Sequence, residues 1–243
     1  MKNYVSFVLL SDKNDYLCSV KQILKSLSVY GIAYLVLLMY VFGLLLAYPK
    51  VELHLWLNSW HTGFLDTFFK YYSTLAEGLL YVLALLPIFW KKKEMTIFFA
   101  ISELAGGAIV QILKFLFDAQ RPASVFENYQ NVVLPLVEGV ELHHSSSFPS
   151  GHSSTFFVFF TCCAIILAYH YVQRAQEHNL RTRILFHATL LLMLFLAALG
   201  GYSRIYLSQH FMVDVCVGSI IGFVTPFVVF WLSRKKILKL KNV

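Results

Sequence analysis

Charge is what this sequence has least of. Among 243 residues the charged types make up 14%, and Asp and Glu together number 13. A soluble domain of this length must cover its core with polar side chains. With 58% hydrophobic residues and a mean hydropathy of +0.65, this chain cannot do so. A soluble globular domain, a disordered chain and a collagen-like chain are all excluded. Cysteine is equally sparse. Cys18, Cys162, Cys163 and Cys216 form no CxxC, and three of them lie in apolar stretches, which argues against a disulfide framework or a zinc site. No internal repeat or low-complexity tract is present. At the N-terminus the apolar stretch Tyr4 to Leu10 is too short for a signal peptide, and Ser-Asp-Lys-Asn-Asp follows it instead of a cleavage site. Residues 1–22 are expected to form an interfacial helix or a mobile arm.

What the chain does contain is long runs without charge. About 20 mostly apolar residues cross a hydrocarbon layer of about 30 Å. Six segments meet that need: Ser26–Pro49, Tyr71–Trp90, Met95–Phe117, Ser153–Gln173, Ile184–Ser203 and Phe211–Ser233. The expected fold is all-α: one polytopic membrane domain over residues 1–243 with six transmembrane helices. The second segment has the shortest apolar run.

The formal charge of +7 comes from 20 Lys and Arg. Lys2, Lys13, Lys21, Lys25, Lys91, Lys92, Lys93, Arg174, Arg181, Arg183, Arg234, Lys235, Lys236, Lys239 and Lys241 fall on one side of the six-span arrangement. The positive-inside rule makes that side cytoplasmic, with both termini inside. This distribution also disposes of nucleic acid as a partner, because the charge is spread over four short segments and no basic groove with interleaved aromatics appears. Five cations remain outside. Lys50 and Lys70 flank a segment with Trp56, Trp60 and several Phe, expected to lie in the membrane interface. Lys114, Arg121 and Arg204 stand at outer helix ends, where topology gives them no purpose.

Those three share a depth with other polar groups. Pro149-Ser150-Gly151-His152 opens one span, Ser203-Arg204 ends the next, and His210 and Asp214 open the last. Polar groups at membrane depth are costly and usually functional. A helix opening at Ser150-Gly151 presents unpaired amides and a positive dipole end to an anion, and glycine permits close approach. Lys114, Arg121 and Arg204 suit phosphoryl oxygens. His210 and Asp214, four residues apart, share a helix face. Asp214 can hold the proton-bearing nitrogen of His210 and leave the other as a nucleophile. His152 stands opposite as a general acid. No carboxylate cluster is available for a metal, and the cations fill the neutralising role that Mg²⁺ takes elsewhere. No cofactor is expected.

Lys-x6-Arg-Pro, Pro-Ser-Gly-His and Ser-Arg-x5-His-x3-Asp together resemble the signature of the lipid phosphate phosphatase superfamily. These are the type-2 phosphatidic acid phosphatases, which share their site with vanadium haloperoxidases and bacterial acid phosphatases. Lys114, Arg121, Pro122, Pro149, Ser150, Gly151, His152, Ser203, Arg204, His210 and Asp214 fill it without departure. The resemblance spans roughly residues 50 to 235. It implies attack by His210 on phosphorus, a phosphohistidine, protonation of the leaving group by His152, and release of inorganic phosphate by a water that His152 activates. Lys114, Arg121, Arg204 and the amides near Ser150-Gly151 would hold the oxygens. It also implies a membrane-lipid substrate: undecaprenyl diphosphate, phosphatidate, phosphatidylglycerophosphate or a lipid A phosphate. The expected location is the cytoplasmic (inner) membrane, with the site facing the periplasm.

Other polar residues leave alternatives open. His143-His144 reads as a surface loop or as the border of a substrate entrance. Glu103, mid-span, is either functional or a hydrogen-bonded structural carboxylate, and Gly106-Gly107 beside it points to tight helix packing. Glu77, near the outer end of the second segment, either lines the pocket or has no part in it. The rival functions are a lipid phosphotransferase using the same site and an anion-binding membrane transporter, whose usual inverted repeat is missing here.

Overall fold

The computed structural model describes residues 20–78, 93–129, 132–174 and 179–237. Among these the secondary structure is helical throughout, without a strand. The helices are α1 (Ser28–Ala47), α2 (Lys50–Leu57), α3 (Gly63–Thr74), α4 (Lys93–Leu116), α5 (Pro122–Phe126), α6 (Gly151–Gln173), α7 (Leu180–Tyr206) and α8 (Met212–Ile237), with a 3₁₀ turn at Leu75–Glu77 after α3. Five of them, α1, α4, α6, α7 and α8, are long and apolar enough to cross a membrane. Exposed Ile32, Met39, Leu46, Leu104, Phe115, Phe195 and Leu232 form the surface they turn to lipid. The protein is a multi-pass membrane protein.

The expected span Tyr71–Trp90 falls mostly outside the described residues. Its first residues belong instead to α3 and the 3₁₀ turn, which ends at Gly78 in the left-handed region at φ 105°. Thr62 caps the start of α3 through Leu65 N–H. The apolar run around Tyr71 is thus the end of an amphipathic helix, whose buried face holds Phe69 and Ser73.

Lipid tails are as apolar as leucine, so these helices are held by close approach and by hydrogen bonds across helices. Gly218 and Gly222 of α8 lie directly on α6. A Cβ at Gly218 would stand 2.4 Å from the Ser150 carbonyl oxygen, and one at Gly222 2.3 Å from that of Ser154. Of the expected tight pair on α4, Gly106 meets Val158 and Ser154, while Gly107 has open space. Tyr30 pairs with Thr161 at 3.1 Å and Tyr34 with Ser219 at 3.2 Å, fastening α1 to α6 and α8. Glu103 accepts from Thr155 Oγ1 at 2.7 Å, a tie between α4 and α6.

Candidate active site

The C-terminal ends of α4 and α7 and the N-terminal ends of α6 and α8 meet at one end of the bundle. Ser150 explains how α6 starts there. Its Oγ accepts from Ser153 N–H at 3.3 Å and from Ser153 Oγ at 2.8 Å, while its own N–H donates to the Asp214 carbonyl at 3.0 Å. One residue therefore caps α6 and ties it to α8. The tie narrows the sequence expectation. The Ser150 amide is engaged, so by the count of first-turn donors the amides of Gly151 and His152 are the ones left for an anion.

Asp214 Oδ2 is fixed by Phe211 N–H at 3.0 Å and by Ser147 Oγ at 2.5 Å. His210 Nδ1 faces the same carboxylate oxygen at 3.6 Å and Ser147 Oγ at 3.4 Å. The two side chains face each other with Ser147 bridging them, but His210 lies in the turn before α8 and does not share a helix face with Asp214. His210 and Asp214 are both 2% exposed. Burial holds the His210 imidazole down to about 3, so it is neutral at ordinary pH.

The cations are set by a run of three serines. Lys114 Nζ donates to the Ser146 carbonyl at 2.8 Å and Arg121 Nε to the Ser145 carbonyl at 2.9 Å. Ser147 N–H donates to the Ala119 carbonyl at 2.8 Å. Arg121 Nη1 also donates to the backbone and side-chain oxygens of Gln209, each at 3.1 Å. Burial draws the Arg121 guanidinium below its ordinary value, and Asp214 opposes this. The Arg204 carbonyl accepts from Gln209 N–H at 2.9 Å and His210 N–H at 3.1 Å, locking the cation to the histidine turn. Its Nη1 donates to Ser73 Oγ of α3.

His152 and Arg204 line a cavity of about 230 Å³ together with Ser73, Glu77, His143 and Gln209. Glu77 Oε1 stands 3.6 Å from His152 Nε2. Lys70, read from sequence as an interfacial anchor, also lines this cavity and donates to the Glu138 carbonyl at 2.9 Å. His144 instead faces Glu127 at 3.5 Å on the exposed surface. Among the described residues no three His, Cys, Asp or Glu side chains group as a metal site. Sequence reading missed Ser147, Ser73 and Gln209. Only the serine run immediately before Phe-Pro-Ser-Gly-His signalled any of them, because Ser73 reaches the site from α3 across the fold.

Comparison with known proteins agrees with this geometry. Residues 95–238 match the model of the PAP2 superfamily. The chain is 27% identical over 167 residues to the bacitracin transport permease protein BcrC of Bacillus licheniformis, covering 66% of this chain and 70% of that protein. It is also similar to the crystal structure of Aquifex aeolicus LpxE, at 25% identity and a TM-score of 0.58, over 76% of this chain and 97% of that one. With its signature residues gathered at one end of an apolar helix bundle, the chain belongs to the PAP2 superfamily and is a lipid phosphate phosphatase.

Proposed function

We propose that the chain hydrolyses a lipid phosphate or lipid diphosphate, without a metal, through a phosphohistidine on His210. The observation that carries this reading is the placement of His152 and Arg204 on one cavity at the bundle end, with His210 Nδ1 turned toward Asp214 on the adjoining turn. Nδ1–H directed at the carboxylate leaves Nε2 with a lone pair for phosphorus. As the Nε2–P bond forms, the bond from phosphorus to the leaving oxygen breaks, and His152 gives that oxygen its proton. His152 then takes a proton from water, the hydroxide displaces Nε2, and inorganic phosphate leaves. Lys114, Arg121, Arg204 and the amides of Gly151 and His152 hold the equatorial oxygens, while Ser150 shapes the cradle. A site at a bundle end suits a substrate whose tail stays in the bilayer.

The same reading covers topology. Glu77 stands at the site end of the bundle, and Lys93 begins α4 at the opposite end. This supports six spans in one membrane-embedded domain, both termini cytoplasmic, and a site open to the periplasm from the cytoplasmic membrane. The candidate head groups remain those named from sequence, and another lipid could replace water as phosphate acceptor. Transport is the rival, since one relative carries the name of a transport permease. Against it, Phe98, Phe99, Phe157, Ile165, Leu190 and Phe230 fill the bundle below the site, none more than 2% exposed.

Purified protein in detergent, given a panel of phosphorylated lipids with EDTA, is expected to release inorganic phosphate and to be inhibited by vanadate. No release from any lipid, or loss of release on metal removal, overturns the proposal. His210→Ala is expected to be inactive, and its retaining activity refutes the nucleophile.

A further inference from the structure

The segment between α2 and α3 carries a chain of polar groups that ends on the turn bearing His210. Tyr206 Oη donates to Asp66 Oδ1 at 2.6 Å, and His61 Nδ1 stands 2.8 Å from the same oxygen. His61 Nε2 lies 2.7 Å from Asn58 Oδ1. Asn58 Nδ2 donates to Ser208 Oγ at 2.6 Å, and Ser208 Oγ donates to the Pro135 carbonyl at 3.1 Å. Asn58 and Ser208 are buried, and the His61 ring stacks on Tyr206 with centroids 4.2 Å apart.

The one hydroxyl proton of Ser208 goes to Pro135, so the group facing its Oγ must donate. That turns the amide nitrogen of Asn58 toward Ser208 and its oxygen toward His61. On the other side His61 faces a carboxylate, which accepts only. Both ring nitrogens thus face an oxygen, Asp66 Oδ1 on one edge and Asn58 Oδ1 on the other, and the ring is held from both sides. The titratable groups facing the ring are Asp66 of α3 and Tyr206 of α7, and the Tyr206 hydrogen bond holds Asp66 below its ordinary value. Ser208 has φ 53°, a left-handed conformation in which a serine needs outside fixing, and it lies two residues before His210.

We propose that His61 and Asn58 are positioning residues for the catalytic turn, with His61, held at both ring nitrogens, clamping the turn to the 132–150 loop through Asn58 and Ser208. This rests on the phosphatase reading above but is separable from it. The test compares His61→Arg with His61→Phe in the full chain. Arginine keeps a cation with N–H donors on more than one edge, whereas phenylalanine keeps the aromatic stack on Tyr206 and loses the donors. Expected for His61→Phe is a fall in kcat of about 10- to 100-fold with KM within about threefold, as for a displaced reacting group. His61→Arg is expected to stay within about fivefold of the native kcat. The reverse order would assign His61 to packing and overturn the proposal. In addition, ¹⁵N-histidine NMR of the native chain, with the His61 signals identified by their loss in His61→Phe, is expected to show both ring nitrogens hydrogen-bonded. A ring nitrogen free of hydrogen bonding overturns the inference whether or not the chain hydrolyses any lipid phosphate. Absence of phosphate release from the native chain overturns only the phosphatase reading.

Discussion

Ser147 lies outside every recognisable motif, yet it holds Asp214 and faces His210. Ser147→Ala should lower kcat about 10-fold, roughly 1.4 kcal/mol of barrier, with little change in KM, as steady-state phosphate release would show. Arg204→Ala removes a buried, preorganised cation and should cost about 10²–10³ in kcat. His54 makes the opposite case. Its ring is buried between Phe126 and Phe211, and neither nitrogen finds a partner among the described residues. Burial draws it down to about 4 and His210 to about 3, both from 6.5. In each case the unfolded chain binds the proton more tightly. The stability these groups lend is therefore whole above pH 6.5 and is lost as pH falls toward 4 and 3. Thermal unfolding in detergent should show that loss between pH 6.5 and 4 and a smaller one in His54→Phe, which removes one of the two histidines responsible. At this scale the signature residues were legible because their chemistry is local: a cation, an imidazole, a carboxylate at helical spacing. Their partners Ser73 and Gln209 were not, since the side chains they hold, Arg204 and Arg121, lie 131 and 88 residues away in the chain.

At the scale of elements, α6 against α8 sets the site. The two helices touch backbone to backbone at Gly218 and Gly222. Gly218→Ala drives a methyl into the Ser150 carbonyl and must move the first turn of α6, which carries His152. A loss of about 10²-fold in kcat is expected, against near-native activity for Gly107→Ala, where the added carbon meets nothing within 4 Å. Assays of the two variants side by side check this. Hydropathy located α1, α4, α6, α7 and α8 but misjudged their ends. α7 begins at Leu180 rather than Ile184, because Asn179 and Thr182 form a capping box ahead of the apolar run. Hydrophobicity marks where lipid begins, whereas caps mark where a helix begins. For the same reason the apolar residues Tyr71 and Tyr72 were read as a span, although they belong to α3.

For the molecule as a whole, the proposed topology puts His143 and Arg174 on opposite sides of the membrane. In a cysteine-free background, His143→Cys should react with an impermeant maleimide added to intact cells, and Arg174→Cys only after lysis. The opposite pattern would invert the orientation. The sequence by itself determined the membrane class, the helical architecture and the family signature, because hydrophobic run length and short-range spacing are properties of the chain read in order. Only the tertiary structure decided which groups complete that set. Asn58 and Lys70 come from a segment that reads as interfacial, and Ser73 and Glu77 from one that reads as the second span, yet they meet Ser208, Arg204 and His152 more than 70 residues away in the chain. Such meetings depend on how closely the helices can approach, and that is settled by glycine contacts and buried hydrogen bonds rather than by hydrophobicity.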